Sequence, residues 1–420
     1  MPPINHIGRP SIAPERRVTG KKSRAGIFAA LLLLLAASII AASGAAPLAV
    51  VPQPAWDLAF TRTNGWTGGD VAASVPLPGH RSLWLFGDSW IGRVADNRRQ
   101  DGTLVNNAIA IQTQAPAAPG RPPAPDDLKF FWGPTAAAGK PTAWVRPAAA
   151  DGSWFWPTGG GVVVPGPRGP RLALFLLRLR RTDAPGAFGF DCVGSVLALV
   201  DGVAGPVKRW RTRLTDLPHD PLLPLTPGEE IDWGTAALYE PGCGCAGGPP
   251  GWVYIYGVRA DADNHRDLLL ARVRPAGLAS FTDWEFWQGG SWAAEPDLAT
   301  PVVSDVASEL SVERVAAAGE VRYLMVSSEP FLGGRILART APWPAGPWSA
   351  PREIYQTPAA DRAGHRFVYA GHSHADLSPP GAVLVSYIVN SNDLAELIGH
   401  ADLYRPRFVL VPMGAVMGEK

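Results

Sequence analysis

This sequence has no excess of positive charge. Its 38 Lys and Arg residues are balanced by 37 Asp and Glu, for a net charge of +1, so the basic surplus expected of a nucleic-acid-binding protein is absent. No segment repeats its apolar residues with the 3.6-residue period of an amphipathic helix. The 46 glycines and 43 prolines also exclude a helical bundle, because both residues destabilise helix interiors. A disordered chain is excluded by the 16 tryptophans and a hydrophobic content of 46%, which leaves a large, turn-rich, all-β globular protein.

Cysteine is scarce as well, with only Cys192, Cys243 and Cys245. In an exported protein, Cys192 could form a disulfide with one of the other two and leave one free thiol; the alternative is that no disulfide forms. Cys243 and Cys245 have no further ligands at zinc-site spacing, so they indicate a metal site only weakly. The GxSxG nucleophile elbow and the GxxxxGKS/T phosphate loop are also missing, so neither of those two sites is predicted.

The first 46 residues have the pattern of an export segment. Residues 1–24 are basic, and residues 27–46 are uncharged and mostly apolar, which is long enough to span a bilayer. Small residues follow the apolar run, so a cleaved signal peptide and an uncleaved membrane anchor are both open. Either one places the rest of the chain outside the cytoplasm. The predicted divisions are 1–24 as a basic n-region or cytoplasmic segment, 25–46 as signal peptide or anchor, 47–55 as linker and 56–420 as one folded domain.

One short element recurs five times after residue 56. It is a tight turn followed by an apolar strand rich in aromatic and β-branched residues, and its copies begin at Arg81, Pro170, Gly251, Val321 and Gly381. Each copy is preceded by a strand of small residues and followed by a third strand, and three copies show a fourth strand containing tryptophan. Antiparallel units of this kind, repeated five times, predict an all-β fold, a five-bladed β-propeller. A β-sandwich with insertions is less favoured, because five copies of one local order are hard to place in two sheets.

Acidic residues at the starts of the first strands should share one rim. In a propeller the first strand of each blade lines the central channel, and the second strand returns to the same end. Pairing across the turn at Gly79–His80 places Asp88 beside Asp70, and the same construction places Glu309 on this rim. Paired carboxyl groups suit glycosidic-bond cleavage, because one protonates the leaving oxygen while the other activates water or attacks the anomeric carbon. Asp70, Asp88 and Glu309 are therefore the catalytic candidates, although each alone could be a turn former or a solvated acid.

Other residues around the predicted mouth are expected to bind sugar through stacking and hydrogen bonds. The set is Trp66, Trp90, Asn107, Trp156, Asp232, Trp233, Arg259, His372, His374, Asp376 and Asn390. His372, His374 and Asp376 are predicted to start the last blade's first strand, with Asn390 at the end of its partner. Two histidines on one strand face could also hold a metal, but sugar binding or core packing is favoured. No cofactor is predicted; a structural Ca²⁺ held by carbonyls and water would leave no motif.

The order of the motifs resembles a bacterial family of exported five-bladed propellers labelled only as a domain of unknown function. The motifs are TGGDVAASVPLP, LWLFGDSWIG, NNAIAI, WFWPTGGGVV, DWGTAALY, VYIYG, SELSV, HSHADLS, VLVSYIVNS and ADLYRPRFV, which cover roughly Trp56 to Met413. Related propeller families include glycoside hydrolases acting on furanosides, among them arabinanases, fructan-cleaving enzymes and mycobacterial endo-D-arabinanases. The resemblance implies that carboxylates act as base, pKa modulator and acid. By motif these are Asp70 in TGGD, Asp88 in FGDSW and Glu309 in SELSV.

The last blade departs from the family pattern. The family more usually reads HPEL and SYNVN, whereas this chain has HADL at 374–377 and SYIVN at 386–390. The shorter acid and the lost amide imply either altered specificity or a site that only binds. We therefore expect an exported, monomeric glycoside hydrolase acting on a furanose-containing polysaccharide of arabinan or arabinogalactan type, held to the membrane if the N-terminal segment is uncleaved. A non-catalytic carbohydrate-binding or envelope-interaction propeller is the alternative.

Overall fold

Five separate antiparallel sheets make up the fold, so the predicted five-bladed β-propeller is confirmed. The computed structural model describes residues 49–113, 120–136, 139–148, 151–183, 189–217, 230–242, 251–261, 263–317, 319–330 and 332–418. The N-terminal apolar segment, Cys243 and Cys245 lie outside these residues. Within them, no helix is both long and apolar enough to cross a membrane.

The first two blades are built from long hairpins. Blade one comprises β2 (Asn64–Leu77), β3 (Arg81–Ala95), β4 (Arg98–Val105), β5 (Ala108–Thr113) and β6 (Leu128–Phe131), and blade two comprises β7 (Ser153–Gly166), β8 (Gly169–Arg181), β9 (Phe190–Asp201) and β10 (Arg211–Leu217). In blade one, β3 pairs with β2 along one edge, while β5 and then β4 pair with successive parts of its other edge. The far end of β3 therefore extends past the body of the blade with β4 as its partner.

The next two blades follow the same plan with shorter strands. Blade three comprises β11 (Glu230–Glu240), β12 (Trp252–Ala260), β13 (Arg266–Val273), β14 (Glu285–Trp287), β15 (Trp292–Ala293) and β16 (Val303–Ser304). Blade four comprises β17 (Leu310–Ala317), β18 (Glu320–Ser328), β19 (Arg335–Ala341) and β20 (Arg352–Gln356). The tryptophan-containing segments predicted as fourth strands in blades two, three and four correspond to β10, β14 and β20.

Blade five closes the ring with a strand from the start of the folded region. Its strands are β21 (Arg366–Ser373), β22 (Ala382–Ser391), β23 (Pro406–Pro412) and β1 (Val51–Pro52), with helices α1 (Pro54–Ala59), α2 (Leu394–Gly399) and α3 (Met413–Met417) nearby in the chain. Val51 pairs with Leu410 and Pro52 with Val409. Residues predicted as linker thus supply the outer strand of the last blade and join the two ends of the ring by backbone hydrogen bonds.

The first strand of blade five begins earlier than predicted. The strand β21 starts at Arg366, and Phe367 rather than His374 lies opposite Asn390. The prediction that His372, His374 and Asp376 start this strand is therefore wrong, because they lie at its far end. The connection to β22 contains a 3-10 helix, Ala375–Leu377, and is longer than a tight hairpin turn. The motif HSHADLS therefore lies at the end of the strand and not at its start.

Aromatic packing at the junction of blades one and five anchors the helix α1. Phe60, directly after α1, lies with its ring centroid 4.9 Å from Trp84 of blade one and 5.3 Å from Phe408 of blade five. Trp56 lies 5.4 Å from Phe408. These side chains are buried, so the helix fills the gap between the first and last blades with apolar surface.

Four of the five innermost strands contain a β-bulge near one end of the channel. Positive φ angles occur in them at Val71 (65°), Ala72 (52°), Gly159 (112°), Gly234 (98°) and Ala370 (52°). Bulges redirect side chains and are common beside active sites. Asp70 lies within the irregular segment of β2, and Tyr369 lies directly before that of β21. Trp156 and Asp232 lie two residues before the irregular segments of β7 and β11, so the irregularities mark one rim of the channel.

Candidate active site

Asp70, Asp88 and Glu309 come together at this rim. Asp70 lies in the irregular part of β2, between the paired residues Gly69 and Val71. Asp88 lies on β3 next to Ser89, which pairs with Gly69, and Glu309 directly precedes β17. The charge of Asp70 contributes to raising the pKa of both other acids. The three carboxyl groups therefore form one electrostatically coupled cluster, in which Asp70 is the shared neighbour.

Asp70 is enclosed by protein on both carboxylate oxygens. Its Oδ2 accepts hydrogen bonds from the hydroxyls of Tyr369 (2.7 Å) and Tyr404 (3.0 Å). Its Oδ1 is buried without a hydrogen-bond partner and points at Gly87, where a Cβ would overlap it. Burial raises the pKa of Asp70 to about 6, against the lowering effect of the two hydroxyls. Asp70 is therefore placed to act on its neighbours by charge.

Asp88 is oriented by two side-chain donors on one oxygen. Its Oδ1 accepts from Trp156 Nε1 at 2.7 Å and from Asn106 Nδ2 at 3.2 Å. Burial and the charge of Asp70 raise the pKa of Asp88 to about 7. Because both donors bind Oδ1, they leave Oδ2 as the oxygen that can face a ligand.

Glu309 is held as a neutral acid near pH 7. Burial, followed by the charge of Asp70, raises its pKa to about 8, and its Oε2 is buried without a hydrogen-bond partner. The preceding carbonyl, of Ser308, accepts from Thr235 Oγ1 at 2.7 Å and ties this segment to blade three. Glu329, which directly follows β18 of the same blade, forms a 2.5 Å ion pair with Arg335. Glu309 is thus the protonated member of the cluster.

An aromatic wall from blade two stands beside Asp88. The ring of Trp156 meets Phe190 edge-on at 4.8 Å, and Trp154 lies 6.1 Å from Phe190. All three side chains are half-buried rather than enclosed. Rings of this kind can stack on the apolar face of a sugar, so the wall and the acid cluster together have the composition of a saccharide site.

Four residues predicted to bind sugar are instead part of the core. Trp66 and Trp233 are each 1% exposed and pack against Phe130 and Phe286. The Nδ2 of Asn107 donates to the carbonyls of Val145 and Phe155, each at 2.9 Å. His374 is 0% exposed, is hydrogen-bonded at 2.8 Å to Ser74 and to Ser386, and packs against Trp84. These side chains support the fold and do not line the mouth.

The remaining predicted residues are distributed around and below the rim. Asn390 donates to the Tyr369 hydroxyl at 3.1 Å, and Asp232 accepts from the thiol of Cys192 at 3.2 Å. Cys192 is not in a disulfide. Arg259 lies opposite Ile231, the residue before Asp232, and forms an ion pair with Asp267 at 3.0 Å. Trp90 is half-buried on the side of β3 that meets Arg99, whose guanidinium lies 5.7 Å from its ring centroid.

Below the rim the channel contains a cavity of about 430 Å³. His372 and Asp376 line it, together with Glu313, which accepts from the backbone N–H of Ala375. Burial raises the pKa of Glu313 to about 7. In the described part of the chain, no group of three or more His, Cys, Asp or Glu side chains is arranged to hold a metal.

Three residues of the acid cluster's surroundings were not predicted: Asn106, Tyr369 and Tyr404. Asn106 adjoins the predicted Asn107 in NNAIAI, but both residues lie between β4 and β5, so strand alternation does not show which of them faces the acids. Tyr404 lies within the motif ADLYRPRFV. Tyr369 has no sequence signal beyond its position in an aromatic strand, and its role depends on where that strand begins.

The chain belongs to a family described as a domain of unknown function, DUF5005, which it matches over residues 54–413. No curated protein matches the chain. Among solved structures, a candidate hydrolase from Bacteroides ovatus is similar with a TM-score of 0.64 and 20% identity, covering 86% of this chain and 90% of that one. At this identity the likeness shows a shared fold.

Two further solved structures are more distant. A Trypanosoma rangeli sialidase gives a TM-score of 0.40 with 10% identity, covering 85% of this chain and 55% of the sialidase. An exo-β-1,3-galactanase from Phanerochaete chrysosporium gives a TM-score of 0.40 with 11% identity, covering 84% of this chain and 62% of the galactanase.

Proposed function

We propose that this propeller is a glycoside hydrolase. The proposal rests on the convergence of three buried carboxyl groups in different surroundings: Asp70 accepts from two tyrosine hydroxyls, Asp88 accepts from Trp156 and Asn106, and Glu309 Oε2 is buried without a hydrogen-bond partner. Burial raises the pKa of all three. Acids in such different surroundings can divide the roles of proton donor and base at one pH. Glycosidic-bond cleavage requires that division.

The proposed roles follow from protonation and access. Glu309 is protonated at neutral pH and donates its proton to the leaving glycosidic oxygen. Asp88, held by Trp156 and Asn106 on Oδ1, uses Oδ2 as base toward water or as nucleophile toward the anomeric carbon. Burial is the main cause that keeps Glu309 protonated, and the negative charge of Asp70 adds to it. The oxygens of Asp70 are themselves hydrogen-bonded or buried, so Asp70 acts through its charge.

The proposed substrate is a furanose-containing polysaccharide of arabinan or arabinogalactan type, bound in part by the wall formed by Trp154, Trp156 and Phe190. We also propose that the protein is monomeric. We propose that it is exported, because the basic segment 1–24 and the uncharged run that follows have the pattern of an export signal. Cell fractionation and N-terminal sequencing distinguish a cleaved signal from a retained anchor.

Incubation of the purified protein with arabinan, arabinogalactan and fructan tests the proposal, with chromatography of released oligosaccharides. Asp88→Asn and Glu309→Gln should each lower release by about 100-fold or more. Glu329→Gln is the matched control, because that rim acid is paired with Arg335 and stands apart from the cluster. Saturable binding with no release from any polysaccharide would favour the carbohydrate-binding alternative.

A further inference from the structure

We propose that Tyr369 and Tyr404 are positioning residues that hold Asp70 as a fixed anion, so that Asp70 controls the protonation of Glu309 and Asp88 without touching substrate. The catalytic roles of Glu309 and Asp88 rest on the proposed function. The arrangement around Asp70 does not depend on the proposed function, because the hydrogen bonds of its carboxylate define it.

Two hydroxyls from different segments of blade five meet on one oxygen. Tyr369 lies on β21, directly before its bulge, and Tyr404 lies just before β23. Both donate to Asp70 Oδ2, at 2.7 and 3.0 Å. Hydrogen bonds to a charged acceptor are stronger than neutral ones. Two of them on one oxygen favour the ionised carboxylate and fix its orientation.

The direction of the Tyr369 bond is set by Asn390. Asn390 Nδ2 donates to the Tyr369 hydroxyl at 3.1 Å, which leaves the phenolic proton to point at Asp70. Burial and the charge of Asp70 raise the pKa of both tyrosines well above the usual value, so both hydroxyls keep their protons. The donors are therefore permanent over the range in which the carboxyl groups titrate.

Tyr404 also fixes the strand that carries Asp70. Its carbonyl accepts from the N–H of Gly69 at 2.8 Å, while its own N–H donates to Val389 at 2.8 Å. Its φ is 61°, a conformation that is strained for a bulky residue. The surrounding contacts hold this strained residue where its backbone and its hydroxyl both reach the Asp70 segment.

The protonation state of Asp70 affects the other two acids of the cluster. After burial, its charge is the next cause that raises the pKa of Asp88 on β3 and of Glu309 before β17, and Arg99 of β4 interacts with Tyr404. In the described part of the chain, the favourable side-chain contacts of Asp70 are the two tyrosine hydroxyls. Removal of a hydroxyl should therefore shift Asp70 toward its neutral form, and Glu309 should then lose its proton at lower pH.

Carboxyl ¹³C NMR titration of the full-length protein tests this inference without any substrate, with Asp70 assigned by loss of its signal in Asp70→Asn. Tyr369→Phe and Tyr404→Phe should each raise the midpoint of Asp70 by about one pH unit, the effect expected for a lost hydrogen bond to a charged group. Both should lower the midpoint of Glu309. Tyr387→Phe is the matched control, because this buried tyrosine of the same blade donates to Asp361 Oδ2 at 3.2 Å and should leave Asp70 unchanged.

An unchanged Asp70 midpoint in either folded tyrosine variant would overturn the inference. If both tyrosine variants fail to fold, Asp70→Asn is the deciding variant. The titration midpoint of Glu309 should fall when the charge of Asp70 is removed, and a midpoint that stays at the wild-type value would overturn the inference. Once a substrate is found, the basic limb of the pH–rate profile should move to lower pH in Tyr404→Phe. Because the titration needs no turnover, failure of the polysaccharide assay alone would count against the proposed function and leave this inference standing.

Discussion

Trp156 of blade two donates from Nε1 to Oδ1 of Asp88 on blade one across 2.7 Å. This bond joins the aromatic wall to the acid cluster, so a residue that offers a stacking surface also orients the proposed base. A sugar seated on the wall would therefore meet Oδ2 of Asp88 in a defined orientation.

Replacing Trp156 with Phe should keep an aromatic ring at this position and remove the indole N–H that donates to Asp88. The indole bond lowers the pKa of Asp88 against the larger effects of burial and of Asp70, so Trp156→Phe should raise the Asp88 midpoint by about one pH unit. Carboxyl NMR titration measures this. Trp154→Phe is the control, because the Nε1 of Trp154 has no hydrogen-bond partner to lose; equal shifts in both variants would refute the role of the bond.

Glu309→Gln should change how stability depends on pH. In the folded protein the pKa of Glu309 is raised from 4.5 to about 8, so between these values the folded state holds a proton that the unfolded chain has released. Glu309 therefore makes the free energy of unfolding fall as pH rises from about 4.5 toward 8. Urea titrations across this range should show the fall to be smaller in Glu309→Gln, and parallel curves for the two proteins would contradict the raised pKa.

Gly160→Ala should destabilise the channel lining. A Cβ at Gly160 would overlap the carbonyl oxygen of Gly234 on the neighbouring blade, and overpacking of this kind costs about 1–3 kcal/mol. Gly290→Ala is the matched control, since nothing lies within 4 Å of a Cβ there. Thermal unfolding should show a clear loss for Gly160→Ala and little change for Gly290→Ala; the same small change in both would show that the blades are not closely packed at the axis.

His374→Ala should affect folding rather than binding. The ring is fully buried between Trp84 and Phe408 and is hydrogen-bonded to Ser74 and Ser386. Its removal leaves a cavity and takes a hydrogen-bond partner from the hydroxyls of Ser74 and Ser386, for a loss of about 2–5 kcal/mol. Chemical denaturation measures the loss. A variant of wild-type stability that bound saccharide less well would instead favour the sequence-based prediction of a ligand contact.

The five-bladed fold could be predicted because each hairpin is a local feature, marked by a tight turn and an apolar strand. The same locality explains the success of pairing Asp70 with Asp88 across the turn at Gly79–His80. The start of the first strand of blade five is predicted wrongly, because the connection to the next strand contains the 3-10 helix Ala375–Leu377. A prediction that assumes a tight turn there assigns residues at the end of the strand to its start.

The surroundings of the acids could not be predicted in the same way. Tyr369 and Tyr404 contact Asp70 from 299 and 334 residues away in the chain, which depends on closure of the ring. Among the tryptophans, composition does not distinguish Trp156 at the mouth from Trp233 in the core. Both residues precede the bulge of their strand, but Trp156 lies one position further from it than Trp233, so the two side chains leave opposite faces of their strands.

The most direct test of the proposed hydrolase is a comparison of oligosaccharide release by the wild-type protein, Asp88→Asn, Glu309→Gln and Glu329→Gln on the same panel of arabinan, arabinogalactan and fructan. We expect release by the wild type and by Glu329→Gln from at least one polysaccharide, and a loss of about 100-fold or more in the other two variants. Undiminished release by folded Asp88→Asn and Glu309→Gln, or no release by the folded wild type from any of the three, would contradict it.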